Sequence, residues 1–187
     1  MLMKSPASPT THLVKTELAE NLTAYACPDS GGTYLPAESY WRWLSKHPER
    51  LPKLPLSEDQ LPPSDDSQSL RLCPESGNAM LRYKVGHGFP FYIDRSPTGG
   101  IWFDEGEWEA LKKHNFHDEL HLIFTLPWQK RVRDAEKEEK LNHLLRERIG
   151  EEAFEKVISF RNWLASQPEK SAILALLKES ELNKSPF

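Results

Sequence analysis

From residue 79 to residue 93 the chain alternates apolar and polar side chains. Leu81, Tyr83 and Val85 share one face, Gly86-His87-Gly88 interrupts, and Phe89, Phe91 and Ile93 resume the alternation. This pattern predicts a β-hairpin with its turn at 86–88. Gly99-Gly100 then precedes a short apolar run, Ile101–Phe103, which reads as a third strand. Asp104 followed three residues later by Glu107 predicts a helix start with a capping box. A weaker version of the same succession comes earlier in the chain. It has strands at about Leu13–Leu18 and Leu22–Ala26, then Gly31-Gly32, then a helix opened by Pro36 that carries Tyr40, Trp41, Trp43 and Leu44.

The two successions overlay without a gap when the sequence is shifted by 68 positions. Gly31-Gly32 falls on Gly99-Gly100, and Tyr34, Leu35, Tyr40 and Trp43 fall on Trp102, Phe103, Trp108 and Leu111. Matches at a fixed offset predict two copies of one supersecondary unit. Between them, residues 45–72 hold Pro48, Pro52, Pro55, Pro62 and Pro63, which exclude a regular helix or a central strand. The stretch is expected to be a semi-rigid spacer, with Pro52-Lys53-Leu54-Pro55 as a potential proline-rich ligand motif. From residue 105 onward the periodicity becomes helical. Thr125 is expected to cap a long helix ending at Gly150, with Leu141, Leu144, Leu145 and Ile149 as its apolar stripe. Further helices are expected around Phe154–Leu164 and Ile173–Leu177. The expected segments are 1–46, a first unit; 47–71, a proline-rich linker; 72–125, a second unit with its helix; and 126–187, a helical segment.

Composition narrows the class. The 187 residues carry 28 acidic and 24 basic side chains, a net charge of −4, so no global field would attract nucleic acid. Two cysteines cannot build a disulfide framework, and no run approaches the roughly 20 apolar residues of a membrane span. The opening MLMKSPASPT lacks the apolar stretch of a secretory leader, and a cytoplasmic location is the expectation.

Both units have the plan of a zinc ribbon, in which two knuckles each supply two thiolates to one metal. The four positions would be Ser5, Ser8, Cys27 and Ser30 in the first unit, and Cys73, Ser76, Arg95 and Thr98 in the second. Ser96 is the alternative to Arg95 if that loop has lost a residue. Each unit keeps one cysteine, and a neutral hydroxyl is a poor zinc ligand beside a thiolate. No metal and no cofactor are therefore expected.

The CPESG knuckle, the Ile93-Asp94 pair and GGIWFDEGEWEAL resemble the bacterial zinc-ribbon proteins of the TFIIB-type zinc-finger family. That family's pattern is CPxCG, a hairpin, then CxxCGGIWLDxGEL. The resemblance covers 73–111 well and 5–44 weakly. The tail from HLIFTLPWQKRVRDAE to FRNWLASQPEK is similar to a helical extension of some members. It implies an α+β fold of two three-stranded ribbon-like units, here metal-free, plus a C-terminal helical segment. It also implies a nucleic-acid-binding or transcription-associated role. Zinc binding does not transfer, because the departures fall on the ligands.

Two further constellations remain. His114, His117 and His121 would share one face of a continuous helix and could hold a metal, which opens the reading of a metal-dependent enzyme. Lys130, Arg131 and Arg133 could touch phosphates, but the acids that follow suit i,i+4 pairing on a solvated helix. The chain has no P-loop, dinucleotide fingerprint or nucleophile elbow. The six tryptophans are expected in the core, except Trp41, a candidate anchor for a partner. These features favour a non-catalytic protein-interaction scaffold, with another protein as partner, over a nucleic-acid accessory role, and both over an enzyme.

Overall fold

The computed structural model describes residues 3–56, 61–62 and 69–182. Among these residues there are six strands: β1 (Val14–Ala19), β2 (Leu22–Ala26), β3 (Thr33–Leu35), β4 (Leu81–Gly86), β5 (Phe89–Arg95) and β6 (Ile101–Phe103). They form one antiparallel sheet in the order β1-β2-β3-β6-β5-β4. Among the described residues there are six helices: α1 (Ala37–Lys46), α2 (Glu107–Lys113), α3 (Leu120–Ile123), α4 (Leu126–Ile149), α5 (Glu151–Ala165) and α6 (Lys170–Leu182). The protein is α+β.

The sheet consists of two three-stranded meanders joined through their third strands. In that central pairing Tyr34 opposes Trp102, Thr33 opposes Phe103, and Leu35 opposes Ile101. Antiparallel equivalent strands must cross at a pair of equivalent residues. Tyr34 and Trp102 are 68 positions apart, the offset at which the sequence overlays itself.

Side-chain alternation sends Leu35, Ile101 and Phe103 to one face and Tyr34 and Trp102 to the other. The first face, with Leu22, Val85, Phe91 and Ile93, is covered by helix residues that include Tyr40, Trp43, Trp108, Leu111 and Leu120. On the second face a smaller cluster packs Leu13, Cys27, Tyr34, Cys73, Met80 and Trp102. Gly32 and Gly100 are needed there for space. A Cβ on Gly100 would lie 1.9 Å from the Tyr34 hydroxyl, and one on Gly32 would lie 2.3 Å from Cζ2 of Trp102. Each ring of the central pair thus lies over the glycine of the opposite meander.

The proline-rich segment is more than a spacer where it is described. Arg50 donates to the Asp118 carbonyl at 2.7 Å, Leu51 N–H to the Asp118 carboxylate at 3.2 Å, and Leu54 N–H to the His114 carbonyl at 3.3 Å. The Asn115 side chain donates to the Pro52 carbonyl at 2.8 Å, and the Lys53 ammonium sits 4.8 Å from the centre of the Phe116 ring. A chain that cannot form a ladder has instead been strapped across the α2–α3 connection by polar groups of that connection. The PKLP motif lies within this strap.

The chain divides into two compact units, Met1–Asp134 and Ala135–Phe187, with the boundary inside α4. The first turns of α4 belong to the sheet unit because Trp128 and Val132 are buried there. The Trp128 indole donates to the Val85 carbonyl at 2.8 Å, and the Gln129 amide donates to the Lys84 carbonyl at 3.0 Å. Thr125 caps the helix, accepting the Trp128 N–H at 3.4 Å. In the second unit Phe154 is the one large apolar side chain that is fully buried among the described residues. The Leu141, Leu144, Leu145 and Ile149 stripe, expected to face a core, is exposed, as are Val157 and Trp163 on α5. Four of the six tryptophans are core residues, whereas Trp41 and Trp163 are each about half exposed, at 51% and 49%.

Candidate functional site

The knuckle positions lie at the ends of the strands, and their hydroxyls and thiols bond to the backbone and to one another. In the first meander Ser5 is buried and its Oγ accepts the N–H groups of Ala7 and Ser8, both at 3.2 Å. Ser8 pairs with Thr11 at 2.8 Å, and both hydroxyls bond Asp29. Burial alone would raise the Cys27 thiol, but hydrogen bonds from Ser30, Ser5 and the 29–30 backbone bring it below its usual value. The Ser30 hydroxyl accepts the Gly32 N–H at 3.4 Å.

In the second meander Cys73 is buried 3.5 Å from the Tyr34 hydroxyl and 3.9 Å from that of Thr98. Tyr34 donates to Glu75 at 2.7 Å. Burial pushes the Cys73 thiol up, yet hydrogen bonds with Ser76, Tyr34 and the 75–76 backbone outweigh it and hold the thiol down at about 7. Burial, with Cys73 and Glu75 alongside, pushes the Tyr34 phenol up. Ser96 takes the place that Cys27 has in the first meander. Its N–H donates to the Gly100 carbonyl at 2.8 Å, as Cys27 N–H does to Gly32. Its hydroxyl accepts the Gly100 N–H at 2.9 Å and pairs with Thr98 at 2.8 Å. Arg95 is instead the last residue of β5, with its guanidinium 4.9 Å from the centre of the Phe124 ring. The hairpin spacing therefore shifts the equivalence by one residue, from Arg95 to Ser96. One thiol among hydroxyls is a poor zinc donor set. Among the described residues no group of three or more His, Cys, Asp or Glu could hold a metal ion.

The histidines do not share a helix face. α2 stops at Lys113, Asn115 adopts a left-handed backbone (φ 61°), and α3 starts only at Leu120. His114 is buried beside Phe89 with neither ring nitrogen hydrogen-bonded. His117 lies between Trp43 and Trp108, and burial lowers its pKa. His121 pairs with the Tyr40 hydroxyl at 3.1 Å and is lowered by burial too. In the basic cluster Lys130 pairs with Asp134 at 3.1 Å, and Arg131 lies 5.7 Å from the Trp128 ring centre. Arg133 is exposed on the same helix. Trp41 stands outside the core against Tyr40 and His121, at ring distances of 5.5 and 5.1 Å.

Sequence reasoning missed a buried ionic group behind the second knuckle. Arg71 lies 7% exposed just before Cys73, and its guanidinium reaches Asp94 at 3.0 Å and both carboxylate oxygens of Asp104 at 2.8 Å. The Trp102 indole donates to Asp104 at 2.9 Å, and Glu107 accepts the Asp104 N–H at 2.8 Å. Asp94, Asp104 and Glu107 stand in the Ile93-Asp94 and WFDEGE runs, so the signal was present as acids at buried periodic positions. Arg71 carried none, because it was assigned to the linker.

Burial raises Glu107 to about 8, the nearby Asp104 charge adding to the effect while its N–H opposes it. The folded state therefore holds a proton that the unfolded chain, with an ordinary value of about 4.3, releases. Glu107 contributes stability that is full below that ordinary value and lost as pH rises through about 8. Glu107→Gln keeps a neutral acceptor for Asp104. The variant is expected to match the parent in urea near about pH 5 and to exceed it near about pH 9. A difference that is constant with pH would contradict a protonated Glu107.

Between the first knuckle and residues 70–77 runs a cleft of about 530 Å³. Pro6, Pro9, Leu70, Leu72 and Pro74 form its apolar walls, and Lys4 and Glu75 bring opposite charges. Leu70 and Leu72 are exposed there at 72% and 50%. The lining combines apolar walls, two opposite charges, and Cys73 with Ser76. The site and sheet define an α+β protein with an apolar cleft between two turn-rich ends. Comparison with protein-family models, with curated proteins and with solved structures returns no match.

Proposed function

We propose that the protein is a non-catalytic interaction scaffold built on two degenerate zinc ribbons, and that it docks an extended segment of another protein in the cleft between its knuckles. The observation that carries the docking reading is the cleft itself, where proline and leucine walls are left uncovered beside one cation and one anion. Apolar walls with a sparse polar rim suit a protein segment better than a phosphate backbone, which needs clustered positive charge. The ribbon reading is supported by the mirrored strand order and by the matching knuckle bonds. Ser5 N–H to Thr11 corresponds to Cys73 N–H to Asn78, and Cys27 N–H to Gly32 corresponds to Ser96 N–H to Gly100. The place of the metal is taken by hydroxyl pairs and by the Tyr34 and Trp102 rings.

Leu72→Asp tests the docking surface, because Leu72 is half exposed and its replacement leaves the core intact. The variant is expected to keep its thermal midpoint and to lose the proteins that co-purify with the parent from its native host. Identical co-purifying proteins for parent and variant would remove the cleft from the proposal. Retention of random DNA or RNA near physiological salt, abolished by charge reversal at Lys130, Arg131 and Arg133, would favour the nucleic-acid role instead.

A further inference from the structure

We propose that Ala135–Phe187 pairs with the same segment of a second copy of the chain, with the exposed apolar faces of α4 and α5 forming the shared interface. The starting point is a missing core. The unit has three helices, one of them extending in from residue 126, yet Phe154 is its one fully buried large apolar side chain among the described residues. Isolated helices of the lengths of α5 and α6 are marginal in water, and a unit of this size does not stand without a core or a staple. Leu141, Leu144, Leu145 and Ile149 form a stripe along α4, and Val157 and Trp163 project from α5. These six side chains present on the order of 600 Å² of surface, near the lower end of what one partner contributes to a stable interface.

Charge narrows the identity of the cover. Residues 135–187 carry nine basic and ten acidic side chains, mixed along the sequence. A strongly basic or strongly acidic partner would find no complementary field, whereas two near-neutral, mixed surfaces meet without repulsion. A twofold interface places a patch against itself and requires just such self-compatibility. Helices that lack a core need cover wherever the chain is made, and another copy of the chain is always present there. This pairing is independent of the cleft proposed above, which lies within residues 4–77.

The test is the mass of the full chain by light scattering and sedimentation equilibrium, from about 1 to about 100 μM. Twice the chain mass of 21.6 kDa is expected. Leu144→Glu with Trp163→Glu is expected to weaken association by about 100-fold or more. Its circular dichroism should lose helix while the tryptophan emission of the sheet unit persists. A second measurement leaves the interface unmutated. Cys27 and Cys73 are buried, so a cysteine placed at the exposed Ser159 can carry a single spin label. Dipolar coupling between labels is expected, and it should vanish on dilution with unlabelled chain. A monomer throughout the range, a dimer that survives the double substitution undiminished, or absence of coupling between labels would each overturn the proposal.

Discussion

Gly100→Ala is expected to remove a large part of the protein's stability. The added methyl would lie 1.9 Å from the Tyr34 hydroxyl and 2.5 Å from Cζ of the same ring. Neither side can yield cheaply. Tyr34 is completely buried in the centre of the sheet and holds Glu75 through its hydroxyl. Gly100 is held at both ends of its peptide by Ser96, which donates from its N–H and accepts at its hydroxyl. Overpacking a core commonly costs about 1–3 kcal/mol, and a rigid contact of this kind belongs at or above the upper end. Against a total of roughly 5–15 kcal/mol, such a loss shifts the unfolding midpoint far enough to read in urea. Shortening the ring identifies the cause. Tyr34→Leu should be costly in the parent, which loses a buried aromatic residue, and much less so in the Gly100→Ala background, where it vacates the space the methyl needs. The coupling between the two substitutions is the measured quantity. Additive losses would mean that the glycine is required for its backbone and not for the ring above it. Gly32→Ala, facing Trp102, should behave alike.

That glycine shows what could be read in the sequence and what could not. The alternation at 79–93 gave the hairpin, and the Gly-Gly and aromatic matches gave an offset of 68. The offset then reappears as Tyr34 opposite Trp102 in the central register. What the pattern could not supply was the partner of each ring, because contact across a local twofold joins residues far apart in sequence. Arg95 was placed at a knuckle position because a gapless overlay ignores insertions. The two hairpins differ in length, and the hydrogen bonds of Ser96 favour it, the alternative the sequence already offered, over Arg95. The histidine face failed for a local reason, since a left-handed Asn115 ends the turn that helical spacing assumed would continue. The proline-rich stretch was legible as non-helical. That it would lie along α2–α3 depends on Asp118 and Asn115, whose side chains the periodicity does not distinguish from surface groups. The stripe on α4 was legible as apolar, while its exposure was not, because periodicity reports which positions seek cover and not what covers them.

Arg71→Ala is the second change expected to be severe. The guanidinium is nearly buried and reaches Asp94 and both oxygens of Asp104, so its removal leaves two carboxylates facing each other with Arg82 alone to oppose the charge on Asp94. Breaking a buried pair by deleting one partner costs about 3–5 kcal/mol, chiefly through the charge left behind. The origin of the loss fixes its pH dependence. Burial already raises Asp94 above its usual value, and Arg71 is the first of the cations that oppose this. Without Arg71 the folded-state value rises further. A carboxyl raised in the folded state contributes stability that is full below its unfolded value, about 3.9, and lost as pH rises. The deficit of Arg71→Ala relative to the parent should therefore shrink as pH falls from about 8 towards about 5. His87, His117 and His121 are lowered by burial, so their contribution is present above about 6.5 and fades in acid. They are retained in both proteins and cancel in the difference. A charge-neutral replacement provides the control. Arg71→Met combined with Asp94→Asn and Asp104→Asn removes the ions together, and it should be more stable than Arg71→Met alone at neutral pH. If the single and triple variants lose the same amount, and the deficit of Arg71→Ala is flat across pH, Arg71 acts by filling space beside Trp102 and not by balancing the acids.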